Sequence, residues 1–415
     1  MNHSKISIAF GELLEQQLYE MVDGHLVSQI ISRTNFDIFS QDYRKYLEGY
    51  SFRVTSELAS HYNGLLKQVQ STLNFDEDID FYITNSPELN AFAFTKPKPN
   101  HAHIIGLHSE AIEKFTDEEL KFVMGHEMGH LIRKKELRSI IQFIYKEKKQ
   151  MPLILEHKIK LWEKVSELTA DRFGFLAVND LQTAVSALFK LSSGIDPKKI
   201  DFDLEAYLRD NDQKLESLKQ NSNIHQMSHP FDPIRVKALE LFSNSNLVQQ
   251  IHQDTDTIHE DKELENQTAH LIDILMTTSY SELDHHRKNF IAAGGLIVSQ
   301  LDDHLSKEEY NKILEVLSNF MVFPGFFLDR FSQNENLGDI LNQSIQNILE
   351  IKPSERYPMF DFLCELVLVD NNLFSSEVDF LFEFGKKAFG FASTEISQRM
   401  AEILSHRFYP NVYEI

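Results

Sequence analysis

The chain contains one glycine-flanked run, Gly125-His126-Glu127-Met128-Gly129-His130, whose chemistry makes sense only if it is wound into a helix. On an α-helix, residues four apart lie on one face, so His126 and His130 converge on one point, as a bound zinc ion requires. Glu127 is rotated to the flank, where it can take a proton from water without being a ligand itself. A metal ion at that point lowers the pKa of water from about 15.7 toward about 7. Composition alone would produce the pattern in roughly one such chain in fifteen, so it needs support from its surroundings.

Three features supply that support. Thr116-Asp117-Glu118-Glu119 has the form of a capping box, which predicts a helix running through His126 and His130 to about Lys134. Phe122, Val123, Leu131 and Ile132 make that helix largely buried. Downstream, in Ser166-Glu167-Leu168-Thr169-Ala170-Asp171, two acids four apart share a helix face. Alone they read as a solvated acidic surface. Beside a buried pair of histidines, Glu167 reads as the third metal ligand, leaving one coordination position open for water. Asp171 then reads as the acceptor for the free ring N–H of His126, fixing its tautomer.

The rest of the chain indicates an α+β, predominantly helical protein. With 415 residues it exceeds what one compact core usually organises, so two domains are expected. Residues 1 to about 75 look mainly helical. Three short strand candidates follow, at Ile79–Thr84, Asn90–Phe94 and His103–Leu107, with Pro97 and Pro99 separating the last two. Helical patterns resume at Ser109. One is expected over Glu136–Lys164, a second over Lys164–Val178, and a third from Pro233 to Phe242, after the loop holding His229-Pro230.

Residues 251–267 are almost entirely polar and are the expected linker between a first domain, 1–250, and an all-helical second one, 268–415. The second part carries a weak repeat, Asp302-x-x-Leu305-x-x-x-Glu309 and Asp370-x-x-Leu373-x-x-x-Glu377, in which Asp and Ser can cap helix ends. His101, His103, His285 and His286 complete no second site and are expected on the surface.

Charge and cysteine content limit the setting. A formal charge of −22 argues against general affinity for nucleic acid or anionic membranes. A single cysteine, Cys364, cannot form an internal disulfide and fits a reducing cytoplasm. No secretory h-region and no run of roughly 18 apolar residues is seen, so a soluble cytoplasmic protein is expected.

Four blocks together resemble the gluzincin metallopeptidases that include the HtpX heat-shock proteases, the CAAX prenyl-protein endopeptidases and the Oma-type proteases. These blocks are Asn90-Ala91-Phe92-Ala93, the His126–His130 motif with Gly129, the Glu167–Asp171 motif, and His229-Pro230 followed by Arg235. The resemblance covers about residues 55–242. It implies a zincin-type domain with one zinc ion per chain on His126, His130 and Glu167, and Glu127 as general base. It also implies that Asn90, Ala91, Phe92 and Ala93 pair with an extended polypeptide substrate. His229 and Arg235 would lie near the open coordination position, stabilising the oxyanion, or His229 would sit on the metal in a resting form.

The membrane members carry spanning helices, often between the two metal-binding motifs. Here Arg133–Lys164 is dense in Lys and Glu, which makes membrane-embedded substrates doubtful. Residues 270–390 weakly resemble the helical TerB-like fold, which suggests a regulatory module or one that docks a protein partner. The function expected from the sequence is therefore zinc-dependent endopeptidase activity on cytoplasmic proteins or peptides. The alternative is a zinc-binding scaffold with little turnover.

Overall fold

A computed structural model describes residues 3–34, 38–96, 100–132, 135–146, 151–218, 232–253, 259–276, 281–301, 305–334, 336–370 and 373–406. The chain divides into two compact units, one of residues 1–151 and 155–276, the other of 152–154 and 277–415.

The first unit opens with helices α1 (Ala9–Met21), α2 (Gly24–Thr34), α3 (Ile38–Tyr50) and α4 (Ser60–Thr72), with strand β1 (Phe52–Val54) inserted before α4. Strands β2 (Ile79–Thr84), β3 (Ala91–Phe94) and β4 (His103–His108) follow. Helices α5 (Ser109–Lys114), α6 (Asp117–Ile132), α7 (Lys135–Lys146), α8 (Leu153–Val178), α9 (Leu181–Ser193), α10 (Leu204–Leu218), α11 (Asp232–Ser243), α12 (Asn246–His252) and α13 (Lys262–Met276) complete it.

The sheet has four strands in the order β1-β2-β4-β3, where the sequence had indicated three. Only three residues form the added strand, too few to show an alternating pattern, and they pair antiparallel with β2. β2 and β4 run parallel, and β3 closes antiparallel on β4 with Ala91 opposite Leu107. Among the described residues β3 pairs with β4 alone and is thus an edge. The hairpin base is clipped by His103, which is fully buried, not on the surface as expected. Its Nδ1 accepts the Lys96 backbone N–H at 3.1 Å, and its Nε2 meets Glu77 at 2.9 Å. Of the other histidines expected outside, His285 is exposed while His101 and His286 are half-buried.

The α6 start has the expected capping box: the Thr116 N–H donates to Glu119 Oε2 at 2.7 Å, and the Glu119 N–H to Thr116 Oγ1 at 3.3 Å. Glu119 also receives Lys190 Nζ at 2.8 Å, which ties α9 to the same end of α6. The break expected at Lys164 is absent, because α8 continues from Leu153 to Val178 and buries Lys164 along with its apolar neighbours. Small residues let α6 and α8 approach closely. A Cβ on Gly125 would lie 2.7 Å from the Ala177 Cβ, one on Gly129 3.0 Å from the Ala170 Cα, and one on Gly174 2.8 Å from the Phe122 carbonyl oxygen.

The units part later in sequence than the expected linker at 251–267. Residues 254–258 of that run lie outside the described residues. The remainder is pinned: Asp261 accepts from the N–H groups of Asn246 at 2.8 Å and Leu264 at 3.2 Å, holding the starts of α12 and α13. Leu264 belongs to the first unit's core. Arg172 of α8 reaches the Thr268 hydroxyl at 3.2 Å.

The second unit is helical throughout where described: α14 (Glu282–Val298), α15 (Lys307–Leu317), α16 (Pro324–Phe331), α17 (Leu337–Ile351), α18 (Arg356–Val367), α19 (Ser375–Phe389) and α20 (Ser393–His406). Its core is aromatic, with Phe290, Phe360, Phe362, Phe389 and Phe391 among its members. Parts of the repeat, 302–304 and 371–372, fall outside the described residues. Its two glutamates do matching work: Glu309 accepts the Ser306 N–H and Glu377 the Phe374 N–H, each at 2.8 Å, at the starts of α15 and α19.

Gly125→Val should destabilise the first unit by about 1–3 kcal/mol in denaturant unfolding, because its side chain has no room against α8. Gly64→Ala on α4 meets nothing within 4 Å and should be neutral or stabilising by up to about 1 kcal/mol. Burial, reinforced by Asp361, pushes the Cys364 thiol up to about 12. At mildly alkaline pH iodoacetamide should therefore leave Cys364 untouched in the native protein and alkylate it in denaturant. Since only the unfolded chain's thiol ionises in the ordinary thiol range, stability should also fall as pH rises through that range.

Candidate metal centre

The glycine contacts between α6 and α8 set the distance between the two motifs. His126 and His130 project from one face of α6, and Glu167 from the facing turn of α8. Their ligand atoms lie within 4.8 Å of one another. His126 Nε2 is 3.2 Å from His130 Nε2 and 3.5 Å from Glu167 Oε2, while His130 Nε2 is 3.2 Å from Glu167 Oε1. Ligands about 2.0–2.1 Å from a tetrahedral zinc stand about 3.3–3.4 Å apart, a spacing that the two imidazole nitrogens approach, while each nitrogen faces a different oxygen of Glu167. Two imidazoles and a carboxylate are also a donor set that zinc accepts. The residues therefore fit a metal ion. It would be held by His126 Nε2, His130 Nε2 and Glu167, with its remaining position open.

Behind His126 is a buried relay. His126 Nδ1 meets Asp171 Oδ1 at 2.9 Å. Asp171 is fully buried and receives two donors from Arg235, Nε at 2.8 Å on Oδ2 and Nη2 at 2.6 Å on Oδ1. The sequence puts Arg235 near the open coordination position. In the structure its guanidinium pairs with Asp171 and acts electrostatically on Glu127 and Glu167. A planar fork of donors matches a carboxylate in two bonds, which explains that choice of partner. His229 lies outside the described residues.

These contacts set the protonation of the site's side chains. Burial opposes charge on His126, but the bond to Asp171 and then the Glu167 carboxylate prevail and raise its pKa to about 10. Burial would likewise raise the Asp171 pKa, yet Arg235 overcomes it and holds the carboxyl below its ordinary value. For His130, burial dominates and lowers the pKa to about 4, even against Glu167. Burial raises Glu127 to about 7, with the charge of His126 opposing it, so this carboxyl is suited to both gaining and losing a proton near neutrality.

Arg138 of α7 is a site residue that the sequence reading missed. Its Nη2 stands 3.2 Å from His130 Nδ1. Arginine only donates, so in this contact Nδ1 accepts and a neutral His130 carries its proton on Nε2. A metal on Nε2 would make Nδ1 the protonated nitrogen, and Arg138 would then have to give way. Nothing in the spacing from His130 marks Arg138. It is one of several basic residues around α7.

The Asn90–Ala93 segment is at the sheet edge. Asn90 immediately precedes β3, and its carbonyl accepts the His108 N–H at 3.1 Å. Ala91 and Ala93 pack against the first unit's core, and Phe92 and Phe94 on the opposite face of the sheet.

Asp171→Asn should reduce zinc affinity about 10–100-fold in chelator competition, since it weakens the acceptor that orients His126. Arg235→Gln should cost about 3–5 kcal/mol of folding stability, because it strands a buried carboxylate. Unchanged unfolding of Arg235→Gln would mean that the ion pair is dispensable.

Comparison with known proteins agrees with this geometry. The model of peptidase family M48 matches residues 55–242. The chain is 29% identical over 214 residues to the plastoglobule-localized metallopeptidase 48 of Arabidopsis thaliana chloroplasts, covering 48% of this chain and 61% of that protein. It is 36% identical over 88 residues to a protease HtpX homolog of Helicobacter acinonychis (strain Sheeba), covering 21% of this chain and 27% of that protein. The matches thus span less than two thirds of either relative's length. No solved structure matches. Residues 55–242, which hold both metal-binding motifs, are thus similar to peptidase family M48.

Proposed function

We propose that this chain is a zinc-dependent endopeptidase that hydrolyses polypeptides at the His126, His130 and Glu167 centre. The observation that carries the proposal is the cluster of two imidazoles and a carboxylate, with ligand atoms within 4.8 Å of one another and the buried carboxyl of Glu127 on the same helix as the two histidines. When bound, zinc supplies the Lewis acidity that polarises a carbonyl and acidifies water. In this reading Glu127 takes the proton of the attacking water and delivers it to the leaving amine. Asp171 and Arg235 hold the His126 ring in register. Residues 90–93 offer the free edge of β3 to the backbone of an extended substrate, a mode that uses unpaired N–H and C=O groups. His229, from its place in the sequence, is assigned to the oxyanion or to a resting metal position.

Among the described residues no helix is long and apolar enough to cross a membrane. A lone, buried cysteine supports the cytoplasmic setting that belongs to this proposal. The second unit supplies none of these residues. We assign it docking or regulation, in line with its weak resemblance to the TerB-like fold.

Glu127→Gln should abolish cleavage of unstructured peptides while zinc content stays at one per chain. His126→Ala, His130→Ala and Glu167→Ala should each lower zinc occupancy. Full occupancy in all four variants would defeat the ligand assignment. A zinc-loaded wild type that cleaves no peptide in a broad library would leave the scaffold alternative standing.

A further inference from the structure

The face of the sheet opposite α6 carries an aromatic cluster beside the free edge of β3. Phe92 and Phe94 are two residues apart on the edge strand, their rings 5.5 Å apart. Helix α3 lies over them. The Tyr43 ring is 5.7 Å from Phe92 and 4.8 Å from Phe94, Tyr46 stacks on Tyr43 at 5.8 Å, and Tyr50 on Tyr46 at 5.1 Å. Leu47 and Tyr43 of α3 pack with Tyr82 and Ile104 and seat the helix on the sheet, where Arg44 also bonds the Ala102 carbonyl. Tyr46 is 53% exposed and Tyr50 76% exposed, in a stripe spaced at three and four residues. Tyr43 touches the edge-strand rings, and the stripe runs from there toward β1.

A strand added to β3 continues its pleat, so its side chains point alternately to the two faces of the sheet. One set faces the α6 side, where the metal ligands are. The other set lies beside Phe92, Phe94 and Tyr43, the ring on which Tyr46 stacks. We propose that this aromatic face is a specificity subsite, which selects extended polypeptide segments carrying aromatic or large aliphatic residues at every second position. Such segments form buried strands in folded proteins, so the preferred substrates are unfolded or partly unfolded chains. The inference rests on the edge-strand reading of the substrate site, and it assigns a recognition role to a helix outside residues 55–242.

Two peptides of equal length test it, one with Phe at alternate positions and one with Ala at those positions. Cleavage by the zinc-loaded full chain is mapped by mass spectrometry. For wild type, kcat/KM should favour the Phe peptide by about tenfold or more, the scale of one or two aromatic contacts. Tyr46→Ser should move that ratio toward one through KM, and Tyr46→Phe should keep it. In the Glu127→Gln background, the Phe peptide should bind more tightly than the Ala peptide, and Tyr46→Ser should erase the difference. Unchanged ratios and binding in Tyr46→Ser, with wild type active, would overturn the subsite and leave the peptidase reading intact. A zinc-loaded wild type that cleaves neither peptide would overturn both. An unchanged melting temperature in Tyr46→Ser separates lost recognition from lost folding, and if that variant melts early, Tyr46→Gln, which keeps the side chain's length without the ring, provides the same comparison.

Discussion

Gly125 and Gly129 on α6, and Gly174 on α8, are pressed against the opposite helix so closely that a side chain on any of them would meet it at 3.0 Å or less. The geometry of the metal centre depends on this contact. Two histidines on one face of a helix define a direction, and it takes a second helix at backbone distance to put a carboxylate on the same point. The neighbouring Phe122, Met128 and Phe173 then bury the seam, so the ligands project from rigid, water-poor elements rather than from loops.

Burying ionisable groups in such a seam is costly unless they neutralise one another. The site meets that requirement by arranging charge in alternation. Arg235 offsets Asp171, Asp171 offsets a charged His126, and His126 in turn stands beside Glu167. Glu127 has no dedicated cation among these pairs, and its raised pKa follows. The same surroundings that stabilise the fold thus leave one carboxyl able to exchange a proton near neutral pH.

Much of this was legible in the sequence because it depends on local spacing. The capping box at Thr116 and the four-residue steps from His126 to His130 and from Glu167 to Asp171 all follow from helix geometry. Contacts formed across the fold were not legible. Arg235 is a strong donor whose partner is decided by which carboxylate is buried nearby, and sequence position does not reveal that. Arg138 is one cation in a basic stretch. His103 carries no mark of burial until β3 and β4 close around it. The three-residue strand Phe52–Val54 is too short to announce a period, and the polar run after His252 looked like a linker because capping by Asp261 is invisible in composition.

Helix α8 also acts as a mechanical element. Between and just beyond Glu167 and Asp171 it carries Thr169 and Arg172. Thr169 accepts the Ile8 N–H at 3.5 Å, while Arg172 donates to the Ile6 carbonyl at 3.1 Å and reaches Glu265 at 3.2 Å. Segments that are 161, 166 and 93 residues away along the chain are therefore fastened within two turns of the metal-facing carboxylate. Residues 6–8 and α13 are thereby fixed to the same helix that presents Glu167, so the metal-facing carboxylate and these distant segments share one support.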